Sequence, residues 1–297
     1  MATLRELKSR IGSVASSEKI TGAMKMISSA KMHKAETALR RLVPYRSQIE
    51  TIISNLLSAD VPFASPLVEP HKEVRRAAIV IMGSDDGLCG AYNVNLFKRL
   101  LAHIADLRER YGFGLGIDLY PVGKKMVKIV SKLNDNNICV ISDPSAVDTK
   151  SSGLAVRAFM ETLQNAFLEG NVDIVDAIYM HYHSAGRQTT EIDRLLPIDN
   201  STFSSQDVAA SSSRPYIFEP DAQTVFRSVL PLFLISVMQE IFAENRASEQ
   251  AARVMAMQSA NDNAKKLLEQ LRLEYNKLRQ QSITTELLDI VGGQVRD

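Results

Sequence analysis

Apolar residues at the start of the chain recur three and four positions apart. They run Leu4, Leu7, Ile11 and Val14, then Ile20, Met24 and Ile27 one residue out of heptad phase, then Met32, Ala35, Leu39 and Leu42, and finally Ile49, Ile53 and Leu56. This spacing predicts one helix over residues 3–57, with a coiled seam at each end and a drifting middle. Thr3 and Glu6 supply a capping box at its start. Pro44 lacks an N–H and is expected to kink or weaken the helix. At ~1.5 Å per residue the helix would be roughly 80 Å long, more than a small domain is wide. Gly12 and Gly22 each cost about 1 kcal/mol in a helix interior. Close approach of a partner and simple tolerance both account for them.

The end of the chain carries a second stripe. Asp221 follows Pro220 as an N-cap. Residues 225–235 are apolar almost all round, which predicts burial on several sides, with a kink at Pro231. The pattern then narrows to Val254, Met257, Asn261, Ala264, Leu268, Leu271, Tyr275 and Leu278. Asn261 is a polar residue in that seam, a device that sets register. Ile283, Leu287 and Leu288 extend the apolar face, and Gly292 and Gly293 are expected to end the helix. Long helices at both ends of a chain can pair as an antiparallel coiled coil, a rod with a globular head.

Between the helices the period changes. Short apolar runs of strand length occur at residues 77–82, 117–122, 138–141 and 174–181, and residues 189–198 alternate as an edge strand does. Helical patterns at residues 92–111, 124–133 and 154–168 separate them. Alternation of strand and helix predicts a Rossmann-like α/β domain, a parallel sheet with helices on both faces. The expected organisation is an N-terminal coiled-coil helix at 1–57, a linker at 58–75 containing Pro62, Pro66 and Pro70, and the α/β domain at 76–198. A Ser- and Asn-rich linker at 199–220 and a C-terminal coiled-coil helix at 221–297 complete it.

Composition narrows the function. Trp is absent and aromatics are only 6% of the 297 residues, ordinary for helical rods. The net charge of +1 gives no whole-chain argument for nucleic acid. The first helix is locally basic. Arg5, Lys8, Arg10, Lys19, Lys25, Lys31, Lys34, Arg40, Arg41 and Arg46 face only Glu6, Glu18, Glu36 and Glu50. That suits a solvated helix face or an acidic partner, and no aromatic or base-reading pattern is interleaved as a nucleic-acid binder would need. The Lys277, Arg279, Gln280 and Gln281 cluster is either a solvated face or a contact surface near a rod tip. Cys89 and Cys139 are far apart, with no Cys-x-x-Cys, which fits a reducing compartment. Neither a signal peptide nor a membrane span is expected, since the greasiest stretch, residues 229–238, is half the ~20 residues a spanning helix needs.

Three sites in the middle of the chain invite a catalytic reading. The loop over residues 83–90 follows the first strand and precedes a helix, where an α/β fold cradles phosphate. It lacks the Lys-Ser/Thr of a P-loop, and Asp85 and Asp86 would repel phosphate. Cys89 occupies a nucleophile's position without a His to activate it. His181 and His183 share one strand face and could ligate a metal, but the motif offers no third ligand. The residues form no convincing catalytic set, so neither a cofactor nor a metal is expected.

Four segments, in order, span the length of the chain: Lys19-Ile20-Thr21-Gly22-Ala23-Met24-Lys25-Met26 with Ala30-Lys31-Met32; Asp86-Gly87-Leu88-Cys89-Gly90 with Asn93 and Asn95-Leu96-Phe97; Ala247-Ser248-Glu249-Gln250-Ala251-Ala252-Arg253 with Ala256-Met257 and Asn261-Asp262-Asn263; and Tyr275-Asn276-Lys277, Arg279-Gln280 and Ser282-Ile283-Thr284-Thr285-Glu286. Together they resemble the γ subunit of F-type ATP synthases along the full length of the chain. Asp86 stands where that family often has Arg, and Gln294 where it often has Ala. The resemblance implies a non-catalytic rotor shaft with no bound nucleotide, turned by ion flow through the membrane ring of c subunits. The partners implied are the α and β subunits of the F1 hexamer, the ε subunit and the c-ring. It implies membrane contact only through that ring, on the cytoplasmic face of a bacterial inner membrane. It implies that Arg279, Gln280 and Thr284 contact the β catch loops, and that Lys19, Met24, Lys25 and Lys31 face the hexamer. Tyr216 and Phe218 are similar to aromatic residues near the ring-facing foot.

Overall fold

The computed structural model describes residues 3–57, 64–141, 147–199, 203 and 218–294. Its elements are α1 (Leu4–Leu57), β1 (Arg76–Ile81), α2 (Tyr92–Tyr111), β2 (Gly116–Pro121), α3 (Lys124–Val130), β3 (Ile138–Val140), α4 (Gly153–Leu168), β4 (Ile174–Ser184), β5 (Arg187–Leu196) and α5 (Ala222–Gln294). Both long helices begin at the expected caps. Thr3 N–H donates to Glu6 Oε2 (3.0 Å) while Glu6 N–H donates to Thr3 Oγ1 (3.3 Å), and Thr224 N–H donates to Asp221 Oδ1 (2.8 Å). Neither Pro44 nor Pro231 interrupts its helix, so each missing N–H is absorbed within a continuous element. Gly292 and Gly293 also lie inside α5, which reaches Gln294 instead of ending before them.

Contacts divide the chain into two units, Met1–Ser29 with Arg253–Asp297, and Ala30–Ala252. The second unit holds a five-stranded sheet of order β3-β2-β1-β4-β5. The first four strands are parallel, and β5 runs antiparallel to β4. The sheet is therefore mixed, because β4 turns straight back into β5 and needs no crossover helix. The central strand β1 is buried on both faces, as its unbroken apolar run requires. On one face Ala77, Ile79 and Ile81 pack with α2 through Leu96, Leu100 and Ile104, and with α3 through Met126. On the other, Ala78, Val80 and Met82 pack with α4 through Met160, Leu163 and Phe167. Ile49, Ile53 and Leu56 of α1 and Phe226, Leu230, Leu234 and Met238 of α5 join that second face. One stretch of α5 is long and apolar enough to cross a membrane by length and composition. Of that stretch, 56% is buried inside the protein, in keeping with a core helix.

Polar groups tie the elements to this core. Asp176 on β4, only 1% exposed, accepts from Arg194 of β5 and pairs with His103 Nε2 of α2 at 2.8 Å. Arg46 of α1 donates to Glu50 (2.8 Å) and to Glu240 of α5 (2.9 Å). Burial opposes the Arg46 charge, but the two carboxylates outweigh it and hold its pKa above the ordinary arginine value.

In the first unit, α1 and α5 run antiparallel. Asn261 meets Thr21, while Glu18, one turn earlier, lies beside Leu268 and Arg272. The α5 seam follows the expected positions, with Met257, Asn261, Leu268 and Leu271 buried and Val254, Ala264, Tyr275 and Leu278 half-buried. Asn261 Nδ2 donates to the Glu18 carbonyl (2.7 Å) and to Thr21 Oγ1 (3.3 Å). The α1 seam departs from expectation. Its inner positions keep one strict heptad phase, Leu7, Ile11, Val14, Glu18, Thr21, Lys25 and Ser28, with no drift. Ile20 and Ile27, read from the sequence as seam residues, are 59% and 55% exposed. The middle of the seam is polar, and at Gly22 the helices are close. A Cβ on Gly22 would lie 3.3 Å from Asn261 Nδ2.

Candidate partner-contact surfaces

Arg279, Gln280 and Thr284 all lie exposed on the last turns of α5. The Thr284 hydroxyl donates back to the Gln280 carbonyl at 2.8 Å. Beyond Ser282 the described side chains of α5 are all exposed, among them Ile283 (48%), Leu287 (57%), Leu288 (66%) and Ile290 (62%). An apolar stripe that continues past its own coiled-coil partner has nothing among the described residues to cover it.

On α1, Lys19 and Lys31 are exposed, whereas Met24 and Lys25 are half-buried. The same helix exposes Ile20, Met26 (76%) and Ile27. Helical spacing sets Ile20, Ala23 and Ile27 in one row beside Lys19. The residues that the sequence suggested for the seam thus form an outward apolar ridge edged by cations. Lys31 also lines, with Lys34, Lys150 and Arg246, a groove of about 300 Å³. There Arg246 donates to the carbonyls of Thr149 and Ser151, and burial holds its pKa below the ordinary arginine value despite Asp148 and Asp85. Phe218 is half-buried against the core that contains Phe226 and Phe233. Tyr216 lies outside the described residues.

The loop over residues 83–90 is occupied by its own side chains. Ser84 N–H donates to Asn93 Oδ1 (3.0 Å), and Asn93 Nδ2 donates to Ser84 Oγ (2.7 Å). Asp85 Oδ1 accepts from Lys124 N–H (3.1 Å) at the start of α3, and its other oxygen accepts from Thr149. Asn245 Nδ2 of α5 donates to the Gly83 carbonyl at 3.0 Å. A Cβ at Gly83 would run into the Cβ of Met126, and one at Gly123 would sit 3.0 Å from the Ser84 backbone. The groups that would cradle a phosphate instead join β1, α3 and α5. Cys89 is buried, with Asn93 Nδ2 at 3.5 Å and Ser84 Oγ at 3.7 Å. Neither neighbour can take its proton, so the thiol is packed, not activated.

His181 and His183 lie side by side on β4 with ring centroids 4.5 Å apart. Nδ1 of His181 is 2.7 Å from Glu244 Oε2 of α5. Burial pushes the Glu244 carboxyl up to about 7, against the opposing pull of His181. This carboxylate was not legible beforehand, since it lies 63 residues from its partner in another element.

Comparison with known proteins agrees with the architecture. The family profile described as ATP synthase matches residues 3–295. The ATP synthase gamma chain of Bacteroides fragilis is 41% identical over 301 residues, covering 99% of this chain and 100% of that one. That of Bacteroides thetaiotaomicron is 39% identical over 310 residues, with both chains covered in full. Among solved structures, a chain of the Euglena gracilis mitochondrial ATP synthase (OSCP/F1/c-ring) superposes with a TM-score of 0.64 at 18% identity, over 98% of this chain and 93% of that one. A chain from the Tetrahymena thermophila central stalk and c-ring gives 0.54 at 20% identity, over 81% and 99%. At those identities the structures speak for the fold alone, while the curated relatives share both sequence and full length. The chain belongs to the ATP synthase gamma chain family.

Proposed function

We propose that this chain is the central shaft of a rotary ATP synthase, a non-catalytic subunit within a membrane-associated F1 complex on the cytoplasmic face of the membrane. In this reading residues 1–57 and 221–297 form the shaft, and residues 76–198 form the foot, joined through the linkers at 58–75 and 199–220. The foot would bind the ε subunit and the c-ring, with Phe218 and Tyr216 near that contact. The shaft would turn inside the hexamer of α and β subunits, where the nucleotide sites lie.

One observation carries the reading. The α5 tip leaves Ile283, Leu287, Leu288 and Ile290 exposed beyond the last seam position. A surface of that kind is covered in the assembled state by a partner. On the same stretch Arg279, Gln280 and Thr284 would touch the β catch loops. They are long or small polar groups, able to make and break hydrogen bonds as the shaft turns without the large cost of separating a dry apolar plug. On α1, Lys19, Met24, Lys25 and Lys31 would face the hexamer beside the Ile20 and Ile27 ridge. Cations there suit an acidic sleeve, since charge complementarity orients an interface more than it tightens one.

Torque transmission needs only that the two helices not slip. The Asn261 hydrogen bonds to Glu18 and Thr21 fix their register, because a shift by one turn would strand a buried amide. The test is the double variant Arg279→Ala/Gln280→Ala assembled into F1Fo. Both residues are exposed, so the isolated chain should unfold as the unmodified protein does, while ATP-driven proton pumping per ATP hydrolysed should fall. Pumping at the unmodified level would overturn the assignment of these residues.

A further inference from the structure

His181, His183 and Glu191 each bring one ligand atom to a single point, with all three atoms within 4.8 Å of one another. They come from the two arms of the β4–β5 hairpin. His181 and His183 alternate onto one face of β4, His181 pairs with Thr189 across the ladder, and Glu191 pairs with Tyr179 two residues along. From this geometry we infer that the hairpin binds a divalent transition-metal cation of borderline softness, for which Zn²⁺ is the natural probe.

Three features of the cluster support the inference. Two imidazoles and one carboxylate form a common three-ligand zinc set, which leaves a fourth position for water. Ligand atoms around a tetrahedral zinc at ~2.0–2.1 Å lie roughly 3.3 Å apart, so the site closes by side-chain rotations of about 1 Å. His183 is exposed and His181 and Glu191 are half-buried, so those rotations meet little resistance.

The second feature is the support behind His181. Its Nδ1 is 2.7 Å from the buried Glu244 carboxyl, and an Nδ1–H donated to that oxygen leaves Nε2 to carry the lone pair. A carboxylate behind an imidazole is the arrangement that orients metal-binding histidines and raises their basicity. The Thr189 hydroxyl, between His183 Nε2 (2.9 Å) and Glu191 Oε1 (3.4 Å), steadies the other two ligands in the same way.

The third feature is charge. Glu191 and Glu244 bring two carboxyl groups to one small region, and among the described residues neither is paired with a lysine or arginine. A dication bound by Glu191 and His181 would balance the Glu191 charge and favour the ionised form of Glu244. It would also clip β4 to β5 near their turn, so binding should raise the stability of the folded chain by mass action.

The experiment uses the purified full-length chain, stripped with a chelator and titrated with ZnCl₂ by calorimetry. CoCl₂ absorption reports the coordination, and thermal unfolding is followed with and without metal. The expected result is one ion per chain, bound more tightly than about 10 μM, with the intense visible bands of four-coordinate cobalt and a raised Tm. His183→Ala alters an exposed side chain and Glu191→Gln keeps the side-chain shape, so both should keep the fold, yet each should weaken binding at least about tenfold. Glu244→Gln should weaken it without removing a ligand. Absence of saturable binding by the unmodified chain would overturn the inference. So would binding that survives His183→Ala but is lost in Cys139→Ser, which would assign the ion to the exposed thiol.

Discussion

Gly12 and Gly22 lie ten residues apart in the same helix, and the structure predicts opposite outcomes when each receives a methyl group. A Cβ at Gly12 meets nothing within 4 Å, whereas a Cβ at Gly22 comes to 3.3 Å from Asn261 Nδ2. Replacing a glycine in a helix interior with alanine recovers about 1 kcal/mol of backbone entropy and propensity. Gly12→Ala should therefore stabilise by nearly that amount. At Gly22 the same gain is opposed. Asn261 is held at 2.7 Å from the Glu18 carbonyl, and moving it aside sacrifices a hydrogen bond of net worth ~0.5–1.5 kcal/mol. Gly22→Ala should thus be close to neutral. Gly22→Val adds two γ carbons to a contact with no room, and overpacking of that kind costs roughly 1–3 kcal/mol. The measurement is urea unfolding of the full chain followed by helical circular dichroism. The order of stability should be Gly12→Ala above the unmodified chain, Gly22→Ala near it and Gly22→Val below. Equal stabilisation by the two alanines would refute the close approach. A stable Gly22→Val chain would do the same.

Asp173 offers a pH test. Burial raises its carboxyl, but His71 (2.7 Å) and the N–H groups of Arg75 (2.7 Å) and Arg76 (2.9 Å) outweigh that and hold it below the ordinary aspartate value. A lowered folded pKa gives stability that is present above the unfolded value of about 3.9 and is lost as pH falls through the folded value. Asp173→Asn should cost roughly 1.5–3 kcal/mol at neutral pH, the worth of hydrogen bonds to a charged group, and the gap should narrow in acid. A gap independent of pH in unfolding titrations would contradict this. Arg46 and Glu240 should show a favourable coupling of order 1 kcal/mol in a double-mutant cycle with alanine, because both are partly buried and joined at 2.9 Å. Strict additivity would mean the pair is screened. Cys89→Ala in the assembled enzyme should leave ATP-driven pumping intact, since among the described residues its side-chain neighbours are Ser84 and Asn93, neither of them a base, and lost pumping with normal assembly would reopen a chemical role.

Much of the fold could be read without coordinates because its causes are local. Caps depend on residues three apart, and Thr3–Glu6 and Asp221–Thr224 close as written. The α5 seam was legible because large apolar residues mark most of its positions. The α1 seam failed between Glu18 and Ser28 for the converse reason. There the inner positions are small or polar, so the eye follows Ile20 and Ile27 outward to the exposed face. Hydrophobicity signals burial in the final assembly, and it does not say whether the cover comes from this chain or another.

By itself, then, the sequence determined the two long helices, their caps, the alternating α/β middle and the membership implied by its four motifs. Each follows from periodicity or short-range chemistry. Tertiary structure alone decided which face of α1 is inward, because that depends on how near α5 approaches at Gly22. It decided that the 83–90 loop is a joint, because Asn93, Thr149 and Asn245 reach it from other elements. And it brought Glu191 and Glu244 to His181 and His183, since a cluster assembled across a hairpin and a helix has no signature in the spacing of any one segment.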